Sequence, residues 1–147
     1  MTTSEAALLD TNVLVYAADE TSTFHQAAKL LRDKGLEGEI PLCICPQVLK
    51  EFFAIVTDPR RVKNPRSREE ASAEVGKYLR STNIRMLYSG PEAMAAMMGL
   101  LERYDVTRQD IFDLQLVATM LSNGVSRLFT FNEEDFSKFG EIEVAVP

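Results

Sequence analysis

Histidine, cysteine and tryptophan are scarce in this chain, which has one histidine, two cysteines and no tryptophan among 147 residues. The single histidine, His25, excludes a nuclease that uses two histidines as general acid and base, and it excludes a histidine-rich zinc site. Cys43 and Cys45 would point to the same face of a strand, where a bridge between them would be strained. We therefore interpret both cysteines as small buried hydrophobes, and His25 as a surface residue of a helix.

Long hydrophobic runs are also absent. No apolar stretch approaches the length of a membrane span, and residues 1–5 have neither a basic start nor a long apolar segment. The sequence therefore predicts no secretory signal, no membrane contact and a cytoplasmic location. The length of the chain suits one compact domain over residues 1–147.

Positive charge is in deficit, with 16 basic against 22 acidic residues and a net charge of -6. Such a balance argues against a general nucleic-acid binder, because phosphate contacts require lysine and arginine. The basic residues are not evenly spread, however, and a solvated loop explains their clustering as well as a binding surface does. Five of them fall in one short stretch: Arg60, Arg61, Lys63, Arg66 and Arg68.

Apolar segments with strand and helix periodicity alternate along the chain. This alternation, without hairpin signals, predicts an α/β fold with an open, mostly parallel central sheet of about five strands flanked by helices. Methionines 94, 97 and 98 are expected to fill the core. The predicted strands are 6–9, 40–45, 84–88, 128–131 and 142–146; the predicted helices run from Thr21 or Ser22 to Gly35, over 47–57, over 67–81, and onward from Gly90 and from Thr107.

Asp10 follows the apolar run at 6–9 directly, and no lysine or arginine lies within eighteen residues of it. A carboxylate at the end of a buried strand needs a cationic partner or a metal ion. Ligands of open parallel sheets bind beyond the carboxyl ends of the strands. The segment from Thr130 to Phe136 follows the fourth strand and is expected to reach the same edge as Asp10.

Two further acids stand in apolar surroundings. Glu51 lies at the border of the buried face of its helix, and Asp113 is flanked by Phe112 and Leu114. Carboxylates that converge without basic partners either hold protons or share a cation, and an all-oxygen set suits Mg²⁺ or Mn²⁺. Asp110 is better explained as an acid favoured by the helix dipole.

Three segments of the chain resemble motifs of the PIN-domain ribonucleases, in particular the VapC-type toxins of bacterial toxin–antitoxin pairs. The segment Leu8–Ala17 is similar to the opening motif of that family, and Asp113–Thr119 resembles its third motif. The segment from Thr130 to Phe136 resembles the closing motif, and Glu51 matches the glutamate of the intervening helix. The resemblance covers essentially the whole chain.

The resemblance implies a PIN-like three-layer fold, hydrolysis of RNA with Mg²⁺ or Mn²⁺, a homodimer, and an antitoxin that covers the site. The basic stretch at 60–68 then becomes a candidate contact for RNA or for an acidic antitoxin segment. Many members have an acid at the position of Asn132 and a basic residue at that of Phe131. The implied roles are direct metal ligation by Asp10 and Asp113, binding of a second metal or of water by Glu51, a fourth acid at Asp135, and support from Thr11, Asn12, Thr130 and Asn132.

Two other functions are weighed against a ribonuclease. A haloacid-dehalogenase-like phosphatase also has an aspartate after its first strand, but it needs a second aspartate where this chain has Asn12. A PIN-like RNA-binding or protein-binding module with little or no turnover is the other alternative, and Asn132 is the feature that favours it.

Overall fold

A five-stranded parallel sheet forms the centre of the protein, whose computed structural model describes residues 5–147. Residues 1–4 lie outside this range. The expectation that residues 1–5 form no secretory signal therefore falls almost entirely outside the described residues. The strand order is β3-β2-β1-β4-β5, and every neighbouring pair is parallel, which confirms the predicted α/β class. The strands are β1 (Ala7–Leu9), β2 (Leu42–Ile44), β3 (Ile84–Met86), β4 (Arg127–Phe129) and β5 (Glu143–Ala145).

Helices flank the sheet and supply the crossovers that parallel strands require. A 3₁₀ turn over Arg108–Asp110 precedes the sixth α-helix, and none of the helices of residues 5–147 is long and apolar enough to cross a bilayer. The α-helices are α1 (Thr11–Ala18), α2 (His25–Leu36), α3 (Pro46–Val56), α4 (Arg68–Arg80), α5 (Pro91–Arg103), α6 (Ile111–Ser122) and α7 (Glu133–Phe136).

The central strand β1 is apolar throughout because it is covered on both faces, as strands inside parallel sheets are. The chain passes from β1 to β2 on one side, while β4 pairs with β1 on the other. This reversal creates a crevice at the carboxyl ends of β1 and β4, where open α/β proteins bind ligands. The Asp10 amide donates a 3.0 Å hydrogen bond to the carbonyl of Phe129, so the ends of the two strands are held together.

The first two helices differ from the sequence prediction. Helix α1 follows Asp10 without a break and was not predicted, because its continuous apolar run lacks a helical period. Helix α2 begins at His25 rather than after Thr21 or Ser22, since the Ser22 hydroxyl accepts from the Phe24 amide in the preceding turn. Gly35 does not end this helix, which continues to Leu36.

The expectation that Met94, Met97 and Met98 all fill the core was wrong for two of them. Met94 and Met98 leave 59% and 55% of their surface exposed, whereas Met97 packs against the core. Helix α5 buries Ala93 and Leu100 instead. The apolar stripe in the sequence is thus wider than the face that α5 buries.

Candidate active site

An open cleft of about 300 Å³ lies beyond the carboxyl ends of β1 and β4, between α1, α3 and α6. Every carboxylate that the sequence singled out for the site contributes to its lining. Asp10 comes from the end of β1, Glu51 from α3, Asp113 from the first turn of α6 and Asp135 from α7. The cleft also contains Thr11, Asn12, Val15, Tyr16, Ile55, Arg61, Asn132 and Phe136.

Asp10 is the most constrained of these acids and is only 9% exposed. Its Oδ1 accepts from the Thr11 amide at 2.8 Å, so the carboxylate also caps α1. Its Oδ2 accepts from the Thr130 hydroxyl at 2.8 Å and from Asn12 Nδ2 at 3.3 Å. Burial raises the pKa of Asp10, while the bonds from Thr130 and Thr11 oppose that rise. The side chain is therefore held in one orientation towards the cleft.

Asn12 and Thr130 join the two strand ends through a wider hydrogen-bond network. Asn12 Nδ2 donates to Thr130 Oγ1 at 3.1 Å, and Asn12 Oδ1 accepts from the Phe131 amide at 3.2 Å. The Asn132 amide donates to Thr130 Oγ1 at 3.0 Å. Thr130, which takes part in two of these three bonds, is completely buried. The network fixes the loop after β4 against α1.

Glu51 is exposed but tethered. Its Oε2 accepts a 2.9 Å hydrogen bond from the Thr11 hydroxyl, and its Oε1 lies 3.4 Å from Gln47 Nε2. Gln47 also donates to the carbonyl of Phe112 at 3.1 Å, which ties α3 to the start of α6. The helix that bears Glu51 is thereby positioned against the helix that bears Asp113.

The pKa of Asp113 lies well above its ordinary value. Burial, followed by the charges of Asp135, Asp10, Asp110 and Glu51, raises the pKa of Asp113 to about 6. Within residues 5–147, no group donates a hydrogen bond to the Asp113 carboxylate. Four negative charges therefore act on a half-buried acid that has no compensating donor.

The four carboxylates of the cleft form no ion pair with a basic side chain of residues 5–147. Nor do any three histidine, cysteine, aspartate or glutamate side chains of residues 5–147 stand close enough to form a ready-made metal site. The donor set is all oxygen, which fits a hard cation that completes its shell with water.

The histidine and the cysteines take no part in this cleft. Cys43 and Cys45 are free and buried, as predicted, and burial raises the pKa of Cys45 to about 11. Its thiolate is thus scarcely populated at neutral pH. His25 Nδ1 lies 2.9 Å from the carbonyl of Tyr16 near the end of α1.

Only one residue of the basic stretch lines the cleft, namely Arg61. Arg60 is paired with Asp58 at 3.2 Å, and Arg68 is paired with its neighbour Glu69. Arg66 Nη2 donates a 2.6 Å hydrogen bond to the carbonyl of Ala18 and so anchors the loop to α1. Lys63 is exposed.

Tyr16 also lines the cleft, although it was not predicted as a site residue. Asn12 and Tyr16 are four residues apart in α1 and therefore share a face of that helix. Because helix α1 was not predicted, the four-residue spacing of Asn12 and Tyr16 did not indicate that they share a face.

The model of the PIN domain family matches residues 7–142. The chain belongs to the PIN-domain family. It is 27% identical over 132 residues to a Mycobacterium tuberculosis protein named Ribonuclease VapC24, with 90% of each chain covered. It is 24% identical over 138 residues to Ribonuclease VapC33 of the same organism, covering 94% of this chain and 95% of that protein. This membership confirms the resemblance and leaves no support for a dehalogenase-like phosphatase.

Solved structures share the fold. The crystal structure of Mycobacterium tuberculosis VapC20, described as a sarcin-ricin loop cleaving toxin, superposes with a TM-score of 0.67 at 17% identity, over 90% of this chain and 95% of that one. The DNA-bound VapBC complex of Salmonella typhimurium gives a TM-score of 0.65 at 15% identity, over 98% of both chains.

Proposed function

We propose that this PIN-domain protein is a metal-dependent endoribonuclease and the toxin of a toxin–antitoxin pair. The observation that carries the proposal is the cleft itself, in which Asp10, Glu51, Asp113 and Asp135 converge without an ion pair to any lysine or arginine of the described chain. Relatives that span nine-tenths of the chain are named VapC ribonucleases, which supports RNA as the substrate.

Asp10 and Asp113 are the residues that would hold Mg²⁺ or Mn²⁺. Such an ion lowers the pKa of a bound water and polarises a phosphodiester oxygen when it is present. The raised pKa of Asp113 supports this assignment, because a divalent cation would relieve the repulsion that now favours its protonated form. Asn132 offers a carbonyl oxygen at the edge of the same cleft.

Glu51 is the residue best placed to orient the attacking water and accept its proton. Its exposed carboxylate reaches the cleft, and the Thr11 hydroxyl holds it at 2.9 Å. Thr130 and Asn12 orient Asp10 in the same way. Hydrogen bonds thus hold the carboxylates of both Glu51 and Asp10 in place before a substrate binds. Asp135 adds negative charge at the outer rim.

Arg61 is the residue of the basic stretch that we expect to contact an RNA phosphate. It lines the cleft and is free of the pairings that occupy Arg60 and Arg68. A guanidinium there would bind the anionic substrate among the carboxylates.

An antitoxin partner, a homodimer and a cytoplasmic location complete the proposal. A toxin-antitoxin complex from Klebsiella pneumoniae and the DNA-bound VapBC of Salmonella typhimurium match this chain over nearly its whole length, which supports an antitoxin partner. The exposed methionines of α5, Met94 and Met98, leave apolar surface that a second protein chain could cover.

A binding module with weak turnover is the second candidate. The observation that favours it is Asn132, an uncharged residue at the rim where an acid would strengthen cation binding.

Cleavage of tRNA, rRNA and mRNA pools by the purified protein in Mg²⁺ tests the proposal against this alternative. Asp113→Asn should abolish cleavage. Asp110→Asn makes the same charge change in the adjoining 3₁₀ turn, outside the cleft lining, and should retain most of it. Equal cleavage by both variants would reject the assignment, and binding of RNA without cleavage by the unaltered protein would support the module.

A further inference from the structure

Three aromatic rings from separate parts of the chain meet beside the cleft. Tyr16 belongs to α1, Phe24 lies just before α2, and Phe131 follows β4. The ring centroid of Tyr16 lies 5.3 Å from the centroid of Phe24 and 5.3 Å from that of Phe131. The centroids of Phe24 and Phe131 are 4.8 Å apart. These separations are those of contacting aromatic pairs, so the rings form one cluster.

The cluster reaches the carboxylate cleft through Tyr16. Tyr16 lines the cleft together with Asp10 and Asn132. Phe131 precedes Asn132 in sequence, and its amide donates to Asn12 Oδ1, so its backbone is fixed by the network that orients Asp10. A ligand whose phosphate lies among the carboxylates would have its adjoining groups close to these rings.

Core packing does not account for the outermost ring. Tyr16 and Phe131 are partly buried and pack against the core, whereas Phe24 does not belong to it and is 46% exposed. The Phe24 amide is bonded to Ser22 Oγ in the turn that precedes α2. An apolar ring is therefore held at the surface next to an acidic cleft.

The charges of the cleft restrict how RNA can bind there. Four carboxylates and a single arginine line it, and the chain as a whole has a net charge of -6. Contacts to phosphates alone would be few. Stacking of bases on aromatic side chains is independent of charge and requires bases that are not already stacked in a duplex.

We propose that Tyr16, Phe24 and Phe131 form a platform on which an unpaired RNA base stacks next to the phosphodiester held in the cleft. This inference rests on the proposed ribonuclease function and extends it to the form of the substrate. The enzyme then selects single-stranded or looped RNA over duplex, and its affinity depends less on salt than that of a basic RNA-binding protein. Each phosphate contact to a single strand contributes a slope of about -0.7 to the plot of log K against log salt, so Arg61 alone predicts a slope near that value.

The test measures binding of a short, fluorescently labelled single-stranded RNA of mixed sequence by anisotropy, in the non-cleaving Asp113→Asn background. Adding Phe24→Leu removes a ring but keeps its apolar character, and we expect it to weaken binding roughly tenfold, within the range found for loss of one stacking partner. Phe24→Tyr keeps the ring and should bind like the parent. Tyr88→Leu is the control, because Tyr88 is 66% exposed but lies outside the cluster and outside the cleft lining.

The same RNA annealed to its complement should bind weakly and equally to all of these variants. Unchanged single-strand binding by the Phe24→Leu variant, while the unaltered protein still cleaves RNA, would overturn the platform and leave the ribonuclease standing. If the unaltered protein neither cleaves nor binds RNA, the platform and the proposed function both fail. If Phe24→Leu releases a co-expressed antitoxin without affecting RNA, the platform is overturned and the rings serve a protein partner instead.

Discussion

The Thr11 hydroxyl donates a 2.9 Å hydrogen bond to Glu51 Oε2 and so joins the start of α1 to the middle of α3. Thr11 is 5% exposed, whereas Glu51 is an exposed residue, and the bond restrains a side chain that would otherwise move freely in solvent. The backbone amide of Thr11 also donates a 2.8 Å hydrogen bond to Asp10 Oδ1. One threonine therefore orients two of the four carboxylates.

Replacing Thr11 by valine should slow cleavage without unfolding the protein. Valine keeps the shape and the amide bond to Asp10 but removes the hydroxyl that holds Glu51. We expect kcat to fall roughly tenfold with little change in KM, as is usual when a residue supporting a metal site is lost. Thr11→Ser retains the hydroxyl and should stay close to the unaltered rate. A valine variant with full kcat would show that Glu51 needs no such restraint.

Asp113 should make the stability of the metal-free protein depend on pH. Its pKa is raised to about 6 from 3.8, so the folded protein binds its proton more tightly than the unfolded chain does. Stability from this group is highest below about pH 4 and is lost as the pH rises through about 6. Because Asp113 is only half-buried, we expect Asp113→Asn to stabilise the protein by about 1 kcal/mol at neutral pH, or roughly 3 °C in Tm.

Thermal unfolding in a chelating buffer measures this effect. The gain in Tm should shrink as the pH falls and vanish below about pH 3, where the carboxyl of Asp113 is protonated in both the folded and the unfolded state. Asp110→Asn, which changes the same charge in the 3₁₀ turn, should give a smaller gain. A loss of Tm in Asp113→Asn at neutral pH would contradict the account of the site as a set of repelling acids.

Asn132→Asp should strengthen the binding of a divalent cation. Asn132 is exposed and lines the cleft, and an aspartate there would add a charged oxygen ligand. Affinity for Mn²⁺ is expected to rise about tenfold, since the number of charged ligands tunes such sites. Calorimetric titration provides the measurement, with Asn64→Asp in the exposed basic stretch as the control of equal charge. Equal affinities in the two variants would place Asn132 outside the metal site.

Arg61→Ala should impair cleavage far more than Arg60→Ala. Arg61 lines the cleft, while its neighbour Arg60 is paired with Asp58. Loss of one phosphate contact is expected to reduce kcat/KM roughly tenfold on every RNA tested and to flatten the salt dependence. The Arg60 variant should change kcat/KM about twofold or less. Equal effects of the two changes would mean that the stretch acts only through its overall charge.

Two glycines should respond to alanine in opposite directions. A Cβ on Gly35 would collide with the buried side chain of Leu42, so Gly35→Ala should destabilise the protein by about 1–3 kcal/mol. Gly99 lies in α5 with open space around it, and Gly99→Ala should stabilise by roughly 0.5–1 kcal/mol. Chemical denaturation gives both values. Stabilisation by Gly35→Ala would show that α2 packs differently against β2.

Much of the site could be predicted because its residues break local rules. Asp10 is a charge at the end of a buried strand, and Asp113 is an acid between apolar neighbours; both stand out without any knowledge of the fold. The parallel sheet followed from strands that alternate with helices. The strand order did not, since nothing local to β1 specifies that β4 is its second neighbour.

Features that depend on packing between distant segments were missed. The apolar residues of helix α1 follow one another from Val13 to Ala18 without a helical period. Burial against α2 and α3, rather than an amphipathic pattern, stabilises this helix. Phe24 falls within the helix predicted from Thr21 or Ser22, but α2 begins only at His25, and Phe24 lies at the surface beside Tyr16 and Phe131. Met94 and Met98 were wrongly expected in the core for a similar reason, because hydrophobic character alone does not tell which face of α5 is buried against α6.

The dependence of RNA cleavage on added Mn²⁺, after treatment with a chelator, tests the central claim most directly. The protein should be inactive without metal and recover saturably as Mn²⁺ is added. Asp10→Asn, whose fold is checked by circular dichroism, should not recover at concentrations that saturate the unaltered protein. Full cleavage in excess chelator, or recovery of Asp10→Asn with the same metal dependence, would contradict a metal-dependent nuclease built on these carboxylates.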